Sequence, residues 1–263
     1  MTTARRDGVS LYYETEGDGE TVAFLGEIGF GAWQWGWQHA ALAGPYEALV
    51  PDMWGTGRSD ASSNSYSVEN LTADLEAILA DHGSRRVHLV GVGLGGMVAL
   101  QYAHEYDRAR SLTLIGTSPG GPRARLPAAP RERLFAPPDD RDALRESLSG
   151  LFSEEFVSEQ PEVIEGIVEW RAAGDADRAG WGAQNVAFEG FDASNWLYEI
   201  TVPALVLHGS DDEIVPVENG RLLADGLPKA TYETYEGVGH GVWIERSRPV
   251  NDRILRFLDE HSD

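Results

Sequence analysis

The stretch Arg86-Val87-His88-Leu89-Val90-Gly91-Val92-Gly93-Leu94-Gly95-Gly96-Met97-Val98-Ala99-Leu100-Gln101-Tyr102-Ala103 decides how the chain folds. Arg86 to Val90 is a short apolar run of strand length, and Met97 to Ala103 continues with good helix formers and no breaker. The glycines between them make a tight turn, so strand, turn and helix follow in order. The alternation recurs on both sides. Ala48 to Asp52 reads as a strand, Val68 to Asp81 as an amphipathic helix, and Ser111 to Ser118 as the strand after the glycine turn. Thr201 to His208 and Thr231 to Tyr235 supply two late strands, and Asn251 to His261 a closing helix. Such a pattern predicts an α/β fold, a mostly parallel central sheet with helices on both faces. At the N-terminus, Val9 to Glu14 alternates apolar and polar residues. Glu16-Gly17-Asp18-Gly19 is expected to turn it back into Thr21 to Leu25 as a hairpin.

Between Pro119 and Glu199 the strand signals stop. Asp139 to Phe152, Pro161 to Ala173 and Asp175 to Ala187 read as helices, which predicts a helical cap over 119–199 inserted into a core of 1–118 and 200–263. Its entrance, Pro119 to Pro138, is rich in proline, glycine and arginine and reads as a flexible loop. Trp170, Trp181, Phe188 and Trp196 are expected mainly to fasten cap to core.

The 263 residues suit one domain with an insertion. Against 43 acidic residues stand 21 basic ones, and Lys229 is the only lysine, so the net charge of −22 argues against nucleic acid and anionic membranes as partners. The carboxylates are spread along the chain, and with arginine in place of lysine the composition resembles that of proteins from extreme halophiles. Molar salt shortens the Debye length to about 3 Å and screens such self-repulsion. No cysteine is present, which excludes disulfides and thiolate chemistry. The start, Met1 to Gly8, has no apolar core of a signal peptide, and no apolar run approaches transmembrane length. A soluble cytoplasmic protein is expected. No spacing of the H-E-x-x-H kind suggests a metal, and no cofactor is expected. A small-molecule ligand or substrate is the expected partner, and the oligomeric state is left open.

Gly91 to Gly96 fits two motifs. As G-x-G-x-x-G it is the dinucleotide fingerprint, which requires an acidic residue about 20 positions on to hold a ribose. The next strand ends in Gly116-Thr117-Ser118 with no carboxylate, and three strands precede the motif, so this reading is the weaker one. As G-x-S-x-G the stretch would hold a nucleophilic serine on a strained turn, but its third position is Gly93.

Four further motifs favour the second reading: Phe24-Leu25-Gly26-Glu27-Ile28-Gly29, Pro51 to Asp60 with its glycine turn, Leu207 to Pro216 with Asp211-Asp212, and Gly237-Val238-Gly239-His240-Gly241. Together with the glycine turn, and over nearly its whole length, the chain resembles the α/β-hydrolase superfamily, in the branch of small esterases, perhydrolases and carbon-carbon hydrolases. The resemblance implies His240 as general base and an aspartate as its orienting partner. Asp212 fits that partner better than Asp211, lying three residues before Val215-Pro216. It also implies an oxyanion hole of backbone N–H groups, those of Ile28 and Leu94. His88 and His208 are assigned to buried strands.

Two departures fall where they matter most: Gly93 leaves the nucleophile position vacant, and Gly26-Glu27 replaces the family's His-Gly. Glycine removes the backbone strain of the turn, about 1 to 3 kcal/mol. A Glu27 carboxylate beside the hole opposes an oxyanion unless it is protonated or turned away, so a solvent-facing and a functional Glu27 are both open. The expected activity is on a small, partly apolar carbonyl compound, an ester, lactone or diketone. His240 and Asp212 would activate water in the serine's place or abstract a proton. The alternatives are a pseudo-hydrolase that only binds such a ligand and, less favoured, a dinucleotide-binding protein.

Overall fold

Asp7-Gly8 is the two-residue turn of the first hairpin, with positive φ at both residues, 51° and 85°. That handedness matches the twist of paired strands, and it joins β1 (Thr2–Arg6) to β2 (Val9–Glu16) in antiparallel register. The computed structural model describes residues 2–61 and 66–262. The expected pairing of β2 with β3 (Thr21–Leu25) does not form. β4 (Glu47–Pro51) lies between them, antiparallel to β2 and parallel to β3. The reason is burial: every residue of β3 is buried, so it needs a strand on each side and takes an interior position.

The remaining strands are β5 (Val87–Val92), β6 (Ala109–Ile115), β7 (Ala204–Gly209) and β8 (Ala230–Tyr235), and the sheet order is β1-β2-β4-β3-β5-β6-β7-β8. From β3 to β8 all neighbours are parallel. The step from β3 to β4 through α1 (Gly36–Leu42) runs one way along the sheet, and the step from β4 to β5 through α2 (Val68–His82) runs the other. Right-handed crossovers therefore put α1 and α2 on opposite faces. α3 (Leu94–Glu105), which follows β5, packs on α2. Ser67 caps α2 by accepting the Asn70 N–H, Gly83 ends it at φ 85°, and Leu71, Leu75, Ile78 and Leu79 form its buried face.

Between β6 and β7 the chain forms α4 (Ala128–Glu132), α5 (Arg141–Ser147), α6 (Glu154–Glu159), α7 (Pro161–Gly174) and α8 (Arg178–Gly190). The helix expected over Asp139 to Phe152 stops at Ser147 and tightens into a 3-10 turn, Leu148–Gly150, before Ser153 caps α6. The entrance is not a plain loop either. Gly120 bridges Asp192, and the buried Arg131 of α4 donates to Asn185 and Glu189 of α8. Trp181 and Phe188 are buried as expected, whereas Trp170 is 46% exposed. After β7 come α9 (Glu218–Gly226), α10 (Val242–Glu245) and α11 (Ser247–Asp259). Val250, Ile254, Phe257 and Leu258 of α11 repeat at helical spacing and are buried, and the helix packs on α1. Among the described residues no helix is long and apolar enough to cross a membrane.

Candidate active site

Four loops leave the carboxyl ends of β3, β5, β7 and β8, the edge where open parallel sheets bind ligands. They bring Glu27, Gly93, Asp212 and His240 together. The turn after β5 is held by close packing. A Cβ on Gly95 would lie 2.0 Å from Leu25 O, and one on Gly91 2.4 Å from Gly95 O. The Gly95 N–H also donates to Gly26 O at 2.9 Å, tying the turn to the loop after β3. This packing accounts for the glycine spacing without a pyrophosphate. Gly93 itself has φ 49° and ψ −113°, a conformation costly for other residues.

The space beside Gly93 is filled. A Cβ built there would meet Glu27 Oε2 at 1.7 Å and its Cδ at 2.3 Å. The expectation of a vacant nucleophile position, with water in it, is therefore corrected: the position holds the Glu27 carboxyl. The solvent-facing alternative for Glu27 is also overturned, since the residue is 1% exposed. Glu27 Oε2 lies 2.6 Å from His240 Nε2, and Oε1 accepts the Ile28 N–H at 2.5 Å. The Glu27 N–H donates to Gln34 Oε1 at 2.9 Å, which sets the direction of the loop.

On its far side His240 Nδ1 lies 2.7 Å from Asp212 Oδ2. Asp212 is oriented by its own loop, because Oδ1 accepts the N–H groups of Ile214 and Val215 at 2.9 and 2.8 Å. Asp211 bonds Ser210 instead and is exposed. His208, buried in β7, places Nε2 2.7 Å from Val215 O and 3.4 Å from Asp212 Oδ2, while His88 in β5 is buried and bonds Ser111 and Glu20. Carboxyl, imidazole and carboxyl thus form one buried chain. Burial by itself would strip His240 of its proton. The Asp212 and Glu27 carboxylates overcome it and raise the imidazole to about 10. Asp212 is pushed the other way by burial, but His240 and His208 hold it down at about 2. Both carboxylates favour the charged imidazolium at neutral pH.

These shifts have a sign. A pKa raised in the folded state contributes stability that is complete below the unfolded value, near 6.5, and is lost as the pH rises through about 10. Asp212 contributes above its ordinary 3.8 and is lost as the pH falls through about 2. The denaturant midpoint should hold up to about pH 6 and fall steadily from there to pH 10. A midpoint unchanged to pH 10 would show that His240 is not charged in the folded protein.

The Ile28 N–H already serves Glu27, and Leu94 opens α3, in the first turn, where N–H groups have no helical acceptor. The inserted helices close over this edge. Gln184 of α8 accepts the Gly29 N–H at 2.7 Å and donates to Trp54 O at 2.7 Å, and the Gly241 N–H beside His240 donates to Leu151 O at 2.7 Å. A Cβ on Gly29, at φ 73°, would lie 2.4 Å from Trp181 Cδ1. Gln34, Gln184 and Leu151 could not be found from sequence, since their partners are set by the tertiary fold. Among the described residues no group of three or more histidine, aspartate or glutamate side chains is arranged to hold a metal ion.

The family model for the alpha/beta hydrolase fold matches residues 29–247. The chain is 30% identical to a 2-hydroxy-6-oxononadienedioate/2-hydroxy-6-oxononatrienedioate hydrolase of Paraburkholderia phymatum, covering 95% of this chain and 91% of that protein. It is also 30% identical to a poly(3-hydroxyalkanoate) depolymerase of Ectopseudomonas oleovorans, covering 84% and 77%. The crystal structure of an enol-lactonase from Burkholderia xenovorans superposes with a TM-score of 0.87 over 98% of this chain and 100% of that one, at 24% identity, a likeness of fold. With a family model matched over most of its length and relatives covered over most of theirs, the chain belongs to the α/β hydrolase fold family.

Proposed function

We propose that the protein hydrolyses a small, partly apolar carbonyl compound, an ester, lactone or diketone, without a serine nucleophile. Glu27, His240 and Asp212 take the place of the serine triad. One observation carries this reading: Glu27 Oε2 occupies the volume a serine side chain would take and meets His240 Nε2 at 2.6 Å. The pair offers acid and base side by side. His240 carries the proton a leaving oxygen needs, Glu27 presents a lone pair toward the substrate, and Asp212 fixes the ring and balances its charge. The N–H groups of Ile28 and Leu94 are the donors for negative charge that develops in the reaction. Residues 119–199 act as the cap that excludes water. The relatives named as hydrolase and depolymerase support a hydrolytic reaction.

Complete burial of the chain from Glu27 to Asp212 favours a second reading, a closed site that binds without turnover. Assays of the native protein on phenyl acetate, γ-butyrolactone and a β-diketone separate the two. Hydrolysis of at least one substrate is expected, reduced at least about 100-fold in folded His240→Gln and Glu27→Gln variants, the scale of a lost acid or base. No hydrolysis of any of the three would favour the binding reading, and rates the variants leave unchanged would overturn the roles given to His240 and Glu27.

A further inference from the structure

We propose that Glu27 is a covalent nucleophile, that its Oε2 accepts the acyl group of the substrate as a mixed anhydride, and that water then attacks the glutamyl carbon. This rests on the hydrolase reading and goes beyond it by assigning the attacking atom and the substrate class. Two contacts carry it. Oε2 lies against the imidazole, where an attacking oxygen stands in a serine triad, and it fills the seat a water would need between His240 and a substrate carbonyl. Oε1 accepts the Ile28 N–H at 2.5 Å, so this amide is aimed at the glutamyl carboxyl itself.

The chemistry balances in two steps. Oε2 bonds to the acyl carbon, the bond from that carbon to the leaving oxygen breaks, and the Nε2 proton of His240 passes to the departing oxygen. The neutral imidazole then takes a proton from water as its hydroxyl adds to Glu27 Cδ. Charge collects on Oε1, where the Ile28 N–H waits, and the Cδ–Oε2 bond breaks. The acid product departs carrying Oε2 and the proton left on the new Glu27 hydroxyl, Glu27 keeps an oxygen from water, and the carboxylate and imidazolium are restored.

Leaving-group strength narrows the substrate. A carboxylate with an ordinary pKa of about 4.3 is expelled from the first intermediate ahead of an alkoxide, whereas a phenolate, near 10, competes better once His240 protonates it. The favoured class is therefore esters and lactones of enols and phenols, which also suit the aromatic rings nearby, Trp181 against Gly29 and Phe152 against Gly241. Phenyl acetate should be cleaved at least 100-fold faster than ethyl acetate.

A single turnover tests this, with the purified native protein in excess over phenyl acetate in ¹⁸O-water. The expected result is unlabelled acetate and one ¹⁸O in the peptide carrying Glu27. Labelled acetate with an unlabelled peptide would overturn this proposal, in which water attacks the glutamyl carbon, and leave the hydrolase reading standing, with water adding to the acyl carbon. Label on the peptide carrying another residue would overturn the assignment to Glu27. Absence of turnover on phenyl acetate would overturn this proposal, and the hydrolase reading falls only if the lactone and the diketone are also untouched.

Discussion

Gly93→Ser alone should destabilise the protein by about 2 to 6 kcal/mol and show no esterase activity. The sum comes from about 1 to 3 kcal/mol of overpacking and about 1 to 3 of restored backbone strain. The new Cβ cannot share space with Glu27 Oε2, 1.7 Å away, and Glu27 cannot step aside without leaving both His240 and Ile28. Combining Gly93→Ser with Glu27→Gly removes the obstruction and frees the Ile28 N–H for a substrate carbonyl. Only the strain remains. The double variant should be more stable than the single one, show a burst with p-nitrophenyl acetate, and take up a fluorophosphonate at position 93. Thermal melts and burst kinetics on both proteins check this. A single variant as stable as native, or a folded double variant that takes up no label, would mean that Glu27 does not hold the nucleophile's place.

The second large effect concerns the cation. His240→Ala leaves Glu27 and Asp212 buried without the charge they share, and breaking a buried ion pair in this way costs about 3 to 5 kcal/mol. The pH dependence should also reverse. Native protein loses stability as the pH rises above neutrality, whereas the variant should gain it on acidification from pH 8 to 5, as protonation relieves two buried carboxylates that have lost the cation between them. Urea midpoints at the two pH values suffice. A variant equally stable at both would show that the carboxylates reach other partners or solvent once the ring is gone.

The parts of this site that local sequence can encode were readable. The strand, turn and helix around Gly93 follow from residues within about ten positions of one another, and the choice of Asp212 over Asp211 follows from the short turn to Val215. The first hairpin was misplaced although Asp7-Gly8 is a strong turn signal. The competing Gly17 and Gly19 sit beside a strand whose all-round burial no local pattern reveals. Glu27 was legible as an oddity but not as a partner. Its contact with His240 spans 213 positions, and its rotamer depends on a missing Cβ at residue 93, so two distant departures from the family pattern were one substitution in three dimensions.

That exclusion between residues 27 and 93 also constrains how such a chain could descend from a serine enzyme. Either change is costly if it comes first: glutamate entering beside serine, or serine returning beside glutamate, would drive the carboxyl from its seat against His240. The least costly route between the two passes through a protein with a small residue at both positions and an open seat beside His240. Such an intermediate has lost one attacking group before gaining the other, so its survival would depend on binding alone. Among family members, a glutamate at the first position that sits against the histidine should not occur together with serine at the second.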